Sequence, residues 1–107
     1  MGKVGTRNWT GKSGKIYSFE MYTLDTSFRE VECVYIYTKP NQSIYVGQTS
    51  QLATRLNQHA TGKEDSDICI QRSGATHIDI LQLKPESARL DVETDLRNYY
   101  KLSCNMQ

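Results

Sequence analysis

No apolar run in this chain approaches the roughly 18 residues that a membrane-spanning helix requires. The polar opening MGKVGTRNWTGKSGK holds no signal-peptide core either. The three cysteines, Cys33, Cys69 and Cys104, are odd in number, widely spaced and without a C-x-x-C pair. That usage fits reduced thiols in the cytoplasm better than a disulfide framework or a zinc knuckle. Histidine is scarce as well. His59 and His77 stand eighteen residues apart with no cysteine or carboxylate at ligand spacing, which argues against a transition-metal centre built on them. An excess of charge is missing: thirteen Lys and Arg face twelve Asp and Glu, for a net charge of +1. Such a balance does not advertise nucleic-acid binding. A phosphate loop is also lacking, because GKS at Gly11–Ser13 would need a glycine at position 6, where Thr6 stands. No nucleotide cofactor and no membrane partner are expected.

What is present is the composition of one globular domain: 107 residues, 37% hydrophobic and 23% charged, with seven tyrosines. Lys3, Arg7, Lys12 and Lys15 precede the first acid, Glu20. This basic stretch reads as a solvated, partly mobile tail, with a handle on phosphate as the sharper alternative. GKSG at 11–14 has turn chemistry and can close a hairpin with the alternating YSFEMYTL that follows. ECVYIYT reads as a central strand, KPNQS as the break and IYV as the next strand. Ser50 is placed to cap a helix over about 51–60 that Gly62 stops. DSDICIQRSG gives a weaker helix, THIDILQL an alternating strand, and Pro85 opens a helix to about Tyr100. The fold class that follows is α/β of the α+β type: a small, mainly antiparallel sheet flanked by helices, with an extra N-terminal β-hairpin. Residues 1–30 form the extension and 31–107 the main module.

Strand geometry places Cys33, Tyr35 and Tyr37 on one face and Val34 and Ile36 on the other. In the next strand, Tyr45 opposes Ile44 and Val46 in the same way. With a three-residue loop Lys39–Asn41, Tyr35 falls directly opposite Tyr45 and both phenols share a face. Gly47 follows, where a missing side chain lets something approach the backbone. On the first helix Leu52, Ala53, Leu56 and Ala60 cover one arc, at about 100° per residue, with Arg55 and His59 just beyond its edge. On the last, Ala88, Val92, Leu96 and Tyr99 form the apolar stripe, flanked by Arg89 and Glu93. Each polar residue also has an ordinary explanation: cross-strand packing for the tyrosines, snorkelling for the arginine, a surface ion pair for Arg89 and Glu93.

The complete spacing resembles the signature of the GIY-YIG nuclease family. VY at Val34–Tyr35 stands where that family has the end of Gly-Ile-Tyr, and YVG at 45–47 where it has Tyr-Ile-Gly. Arg55, ten residues after Tyr45, matches the family's helical arginine. Glu93 in LDVETDL matches its metal-binding glutamate, and Asn105 in LSCNMQ the asparagine that closes the module. Two positions depart: Cys33 replaces the first motif glycine, and Gln48 stands where some relatives carry lysine.

The resemblance implies hydrolysis of phosphodiester bonds in DNA, in a repair or recombination setting. Arg55 would neutralise charge on the phosphoryl oxygens, since guanidinium stays charged and matches phosphate in a fork. Glu93 would hold a single Mg²⁺ or Mn²⁺ that keeps several waters. Tyr45 would be the direct base with Tyr35 as its hydrogen-bonding partner, the reverse assignment remaining open. Gly47, Gln48, His59 and Asn105 would line the substrate site. His59 would contact phosphate or relay a proton, and Asn105 would bind the substrate or tie a backbone group. Cutting both strands would require two active sites or two binding events, which makes a homodimer or a partner protein conceivable. The alternative is a catalytically inactive nucleic-acid binding module of the same architecture, acting within a larger complex.

Overall fold

A computed structural model of the chain describes residues 2–40 and 42–105. The elements run β1 (Lys3–Thr10), β2 (Ile16–Thr23), β3 (Cys33–Lys39), β4 (Gln42–Thr49), α1 (Leu52–Thr61), α2 (Asp65–Arg72), β5 (His77–Gln82) and α3 (Glu86–Arg97). The strands form one sheet in the order β1-β2-β5-β3-β4, with every neighbouring pair antiparallel. This is the α+β class expected from the sequence. β3 lies inside the sheet, between β5 and β4, and six consecutive residues from Cys33 to Thr38 are buried. A strand covered on both faces reads as a continuous apolar run. Each fully buried Val or Ile contributes about 1.5–3 kcal/mol, so ECVYIYT has no stable place at an edge.

Two cores sandwich the sheet. Cys33, Tyr35, Tyr37, Ile78 and Ile80 meet Leu52 of α1 and Ile70 of α2 on one face. Val34, Ile36 and Val46 meet Val92 and Leu96 of α3 on the other, together with Trp9 and Phe19. The alternation anticipated for β3 is observed. Burial pushes the Cys33 thiol up to about 12, which leaves it a packed, inert group where the family motif has glycine.

Several expectations need correction. The basic N-terminus is no tail but strand β1, its side chains fixed by tertiary contacts. Arg7 Nε lies 3.2 Å from the buried Asp79 carboxylate, which also accepts the Trp9 indole N–H at 2.8 Å. The GKSG turn binds a carboxylate of its own chain. Asp95 accepts from the Ser13 amide, the Ser13 hydroxyl and the Tyr17 phenol. A Cβ on Gly11 would lie 2.0 Å from an Asp95 oxygen, so the glycine there makes room for α3 rather than for a phosphate.

The register of β3 with β4 differs too. Tyr37, not Tyr35, pairs with Tyr45, and Tyr35 faces Gly47. Lys39 pairs with Gln42 and Thr38 with Ser43, with a bulge beyond Tyr37 that leaves Ile44 as the extra residue. The three-residue loop is thus overturned, although Asn41 itself lies outside the described residues. A bulge breaks strict alternation. It turns Ile44 onto the same core as Tyr45 instead of the opposite one.

The cysteine reading is also overturned: Cys69 and Cys104 form a disulfide, and only Cys33 is a free thiol. That bond joins α2 to the C-terminal segment, so the argument from cysteine usage for a reducing compartment falls. Helix α1 begins one residue later than expected and takes no cap from Ser50. Glu30, from the preceding loop, accepts both the Thr54 amide and the Thr54 hydroxyl. Helix α3 stops at Arg97, which leaves Tyr99 exposed rather than on the buried stripe. No helix among the described residues is long and apolar enough to cross a membrane.

Candidate active site

Strand β4 closes one edge of the sheet, and its outward backbone groups would be open to any extended chain. The C-terminal segment covers them. The Cys104 amide donates to the Ile44 carbonyl at 2.8 Å. The Asn105 carboxamide then mimics a peptide, accepting from Val46 N–H at 2.8 Å and donating to the Val46 carbonyl at 2.9 Å. Of the two roles open to Asn105, the backbone tie is the one observed. The disulfide anchors the residue next to it.

Around this edge the expected polar residues converge from four elements. Tyr35 has no exposed surface, and its phenol crowds against the β4 backbone at Gly47. A Cβ there would lie 2.5 Å from the Tyr35 oxygen and 3.0 Å from the Tyr45 ring. What approaches the glycine is therefore the protein's own phenol. Tyr45 is only partly buried and borders a cleft of about 280 Å³, lined also by Glu64, Asp65, Ser66, Arg97 and Asn105. A second cleft of about 500 Å³ shares Arg97 and Asn105 with it. A larger cavity, about 810 Å³, lies elsewhere, under Leu24, Phe28 and Leu56, and of the expected site residues it touches only His59.

Arg55 of α1 stands half-exposed among these groups. Its guanidinium interacts with the phenols of both Tyr35 and Tyr45, and its Nη1 donates to Gln58 at 3.0 Å. Burial drives the Tyr35 pKa far up, the Tyr45 phenol nearby adds to that, and Arg55 opposes it. Tyr37 is raised in the same way, first by burial.

Glu93 reaches the same region from α3. Burial raises its pKa, while the charges of Arg97 and Arg55 lower it, so its carboxylate lies within electrostatic reach of the α1 arginine. Among the described residues its one polar contact is Arg97 Nη1 at 4.0 Å. No cluster of three potential ligands exists among the described residues. A partly desolvated carboxylate without hydrogen bonds suits a hard divalent ion that keeps most of its water. The donor set therefore fits one such ion held through Glu93.

Two expected residues do not join this group as anticipated. Gln48 points to the opposite face of β4, where its carbonyl oxygen accepts from Arg89 Nε at 2.9 Å. Arg89 is thereby taken out of any ion pair with Glu93; it is buried and also donates to the Leu83 and Lys84 carbonyls. His59 is not at the margin of α1 but wholly buried. Its Nε2 lies 2.7 Å from the Tyr35 hydroxyl and its Nδ1 2.8 Å from Asp67 Oδ1. Burial lowers the His59 pKa, the Arg55 charge adds to this, and Asp67 opposes it.

Asp67 and Arg97 were missed in the sequence. Asp67 carried only a weak signal, as the acid three residues after Glu64 in a helix start. Arg97 had one at i+4 from Glu93.

Comparison with known proteins bears on the family and the fold. The model of the GIY-YIG catalytic domain matches residues 31–102. No curated protein matches the chain by sequence. Among solved structures, the GIY-YIG N-terminal endonuclease domain of UvrC from Thermotoga maritima is similar. A point mutant bound to its catalytic divalent cation superposes with a TM-score of 0.65 at 22% identity, over 74% of this chain and 87% of that one. The same domain bound to magnesium gives 0.64 at 22% identity, over 73% and 86%. At that identity the likeness speaks for the fold, and the family match covers more than half of the sequence. With its two tyrosine motifs, helical arginine and late glutamate set around one sheet edge, the chain belongs to the GIY-YIG family.

Proposed function

We propose that this protein is a divalent-metal-dependent endonuclease that hydrolyses phosphodiester bonds in DNA, of the kind that repair and recombination employ. The observation that carries the reading is the position of Arg55, which acts on the Tyr35 and Tyr45 phenols and on the Glu93 carboxylate at once. Those three groups come from opposite faces of the sheet, and structural packing alone gives no reason for them to share one cation. A Mg²⁺ or Mn²⁺ ion held by Glu93 would supply Lewis acidity at the phosphate and the leaving oxygen. The GIY-YIG endonuclease domain of UvrC from Thermotoga maritima binds magnesium as its catalytic divalent cation.

Arg55 is the group that meets charge on the phosphoryl oxygens, because its fork stays ionised and stands half-exposed beside the Tyr35 and Tyr45 phenols. Proton removal from the attacking water runs through the phenols. Tyr45, open to the cleft, takes the water proton as it passes its own to the Tyr35 oxygen, directly or through water. The Tyr35 proton moves to His59 Nε2. One proton leaves water and one imidazolium forms, so neither phenol needs to ionise, and the raised pKa of Tyr35 is no obstacle. His59 is suited to accept because burial holds it below its ordinary range and hence neutral near pH 7. Asn105 holds the β4 edge, Gly47 makes room for the Tyr35 phenol, and Gln48 holds Arg89 instead of a substrate phosphate. Residues 1–30 are taken as an accessory hairpin on the catalytic module, and cleavage of both strands would need a second copy or a partner protein.

The test is nicking of supercoiled plasmid with Mg²⁺, Mn²⁺ or EDTA. Metal-dependent nicking should fall by about 10²–10³-fold in Arg55→Ala and comparably in Glu93→Ala. Salt-sensitive DNA binding without cleavage under any metal would sink the enzyme reading and select a nucleic-acid binding module instead.

A further inference from the structure

The Tyr35–His59 contact ends on a carboxylate with no counterpart in the tyrosine, arginine and glutamate set. Asp67 is 6% exposed, and His59 and Tyr35 are fully buried. Its two oxygens are divided. Oδ2 accepts the Glu64 amide at 3.3 Å, closing the capping box of α2, while Oδ1 lies 2.8 Å from His59 Nδ1. A helix cap uses only one oxygen, so capping does not account for the second.

We propose that Asp67 is a positioning residue for proton transfer: it fixes His59 in the tautomer whose Nε2 is free to take the Tyr35 hydroxyl proton. An ionised carboxylate can only accept hydrogen bonds, so Nδ1 must carry the imidazole proton. Nε2 of the neutral ring is then an acceptor, and the phenol 2.7 Å away must donate to it. With its proton directed inward, the Tyr35 oxygen presents its lone pairs towards Arg55 and Tyr45. The chain of donors has a single direction, from the Tyr35 hydroxyl on β3 to Asp67 on α2. When the proton moves from Tyr35 to His59, the imidazolium forms against a carboxylate already in contact with it. The titratable and charged groups that face His59 are Asp67 from α2, Arg55 from its own helix, Tyr35 and Tyr37 from β3, and Tyr45 from β4. Of these, Asp67 is the one placed to raise its basicity.

This inference rests on the nuclease reading, and Asp67→Asn tests it. The Glu64 amide needs an acceptor, so the new carboxamide keeps its oxygen there and turns its NH₂ towards His59 Nδ1. The ring must then carry its proton on Nε2 and can no longer accept from Tyr35. Long-range ¹H–¹⁵N correlation spectra should show His59 protonated at Nδ1 in the wild type and at Nε2 in Asp67→Asn. On a DNA substrate with Mg²⁺, kcat should fall about a hundredfold with KM within about twofold. The acid limb of the kcat–pH profile should move to lower pH, since the carboxylate that favours imidazolium is gone. A residue that merely capped α2 would lower Tm and leave the tautomer and the pH profile unchanged. Wild-type His59 protonated at Nε2, or an Asp67→Asn enzyme with wild-type kcat, overturns the proposal. Should Asp67→Asn fail to fold, Tyr35→Phe removes only the hydroxyl, and an unchanged kcat there overturns it equally. A wild-type protein that cleaves no DNA fails the nuclease reading itself, a result distinct from an active enzyme indifferent to Asp67.

Discussion

Each face of the sheet buries an aspartate, and the two are used in opposite ways. Asp67, on α2, has both oxygens engaged and passes its hydrogen bonding on through His59 to the phenol of Tyr35 on the interior strand β3. Asp79, on the α3 face, receives the Trp9 indole and Arg7 on one oxygen and leaves the other without a partner. Burial dominates its ionisation and raises its pKa, with Trp9 and Arg7 opposing. Both carboxylates incur desolvation. Asp67 connects through His59 to the Tyr35 hydroxyl by two hydrogen bonds. Asp79 connects to a half-exposed arginine that lies over the Trp9 ring, 5.6 Å from its centroid. The contrast separates a buried carboxylate proposed to position the His59 ring from one that pins the N-terminal hairpin to the core. Changes at the first should appear in kcat, and changes at the second in stability.

The largest effect on the Asp67 side, apart from its active-site residues, should come from the disulfide. Cys69–Cys104 closes a separation of 35 residues between α2 and the segment carrying Asn105. Reduction with dithiothreitol should cost about 3 kcal/mol in urea unfolding. It should also loosen the cover over β4. An unfolding midpoint that ignores reductant would show that the clamp contributes nothing. Next in size is Gly47→Ala, whose new methyl would overlap the Tyr35 oxygen. Overpacking of this kind costs about 1–3 kcal/mol, and displacement of the phenol from His59 should lower kcat as well. Normal activity in a destabilised Gly47→Ala protein would separate Tyr35 from the reaction.

The smallest effect belongs to Asp79→Asn, which keeps an acceptor for Trp9 and removes the charge. Because the folded-state pKa of Asp79 is raised, the protonated form is the better tolerated one. The wild type therefore gains stability as pH falls through that raised value, and the gain is complete below the ordinary carboxylate pKa of about 3.9. The variant should be the more stable protein at neutral pH, with the difference closing towards pH 4, and its kcat should be unchanged. Thermal unfolding across pH 4–8 measures it. A kcat loss in Asp79→Asn would erase the distinction between the two faces.

Much of this architecture was legible before any coordinates. The buried run of β3 and the alternation of β2 and β5 are local patterns, and so are the turn at GKSG and the late helix. Tyr35, Tyr45, Arg55 and Glu93 were legible because their spacing is a family signature. The register of β3 with β4 was not, because a bulge inserts one residue without leaving a mark in the alternation. His59 was misjudged for a different reason. A helix wheel gives a direction but not what lies there, and the direction of His59 led into a core that supplies partners for both ring nitrogens. The cysteines were read as reduced thiols, against a disulfide, because two cysteines 35 residues apart share no local pattern.

The sequence alone determined the order of elements, the interior place of β3 and the kinds of side chain available for phosphate chemistry, since all of these follow from short-range periodicity and composition. Only the tertiary structure decided which of those side chains meet. Gln48 and Gly47 are neighbours in the chain yet lie on opposite faces, while Asp67, His59 and Tyr35 come from three elements and share two hydrogen bonds. The reason is that a buried polar atom must find its partner wherever packing brings one within about 3 Å, and that distance is a property of the folded chain.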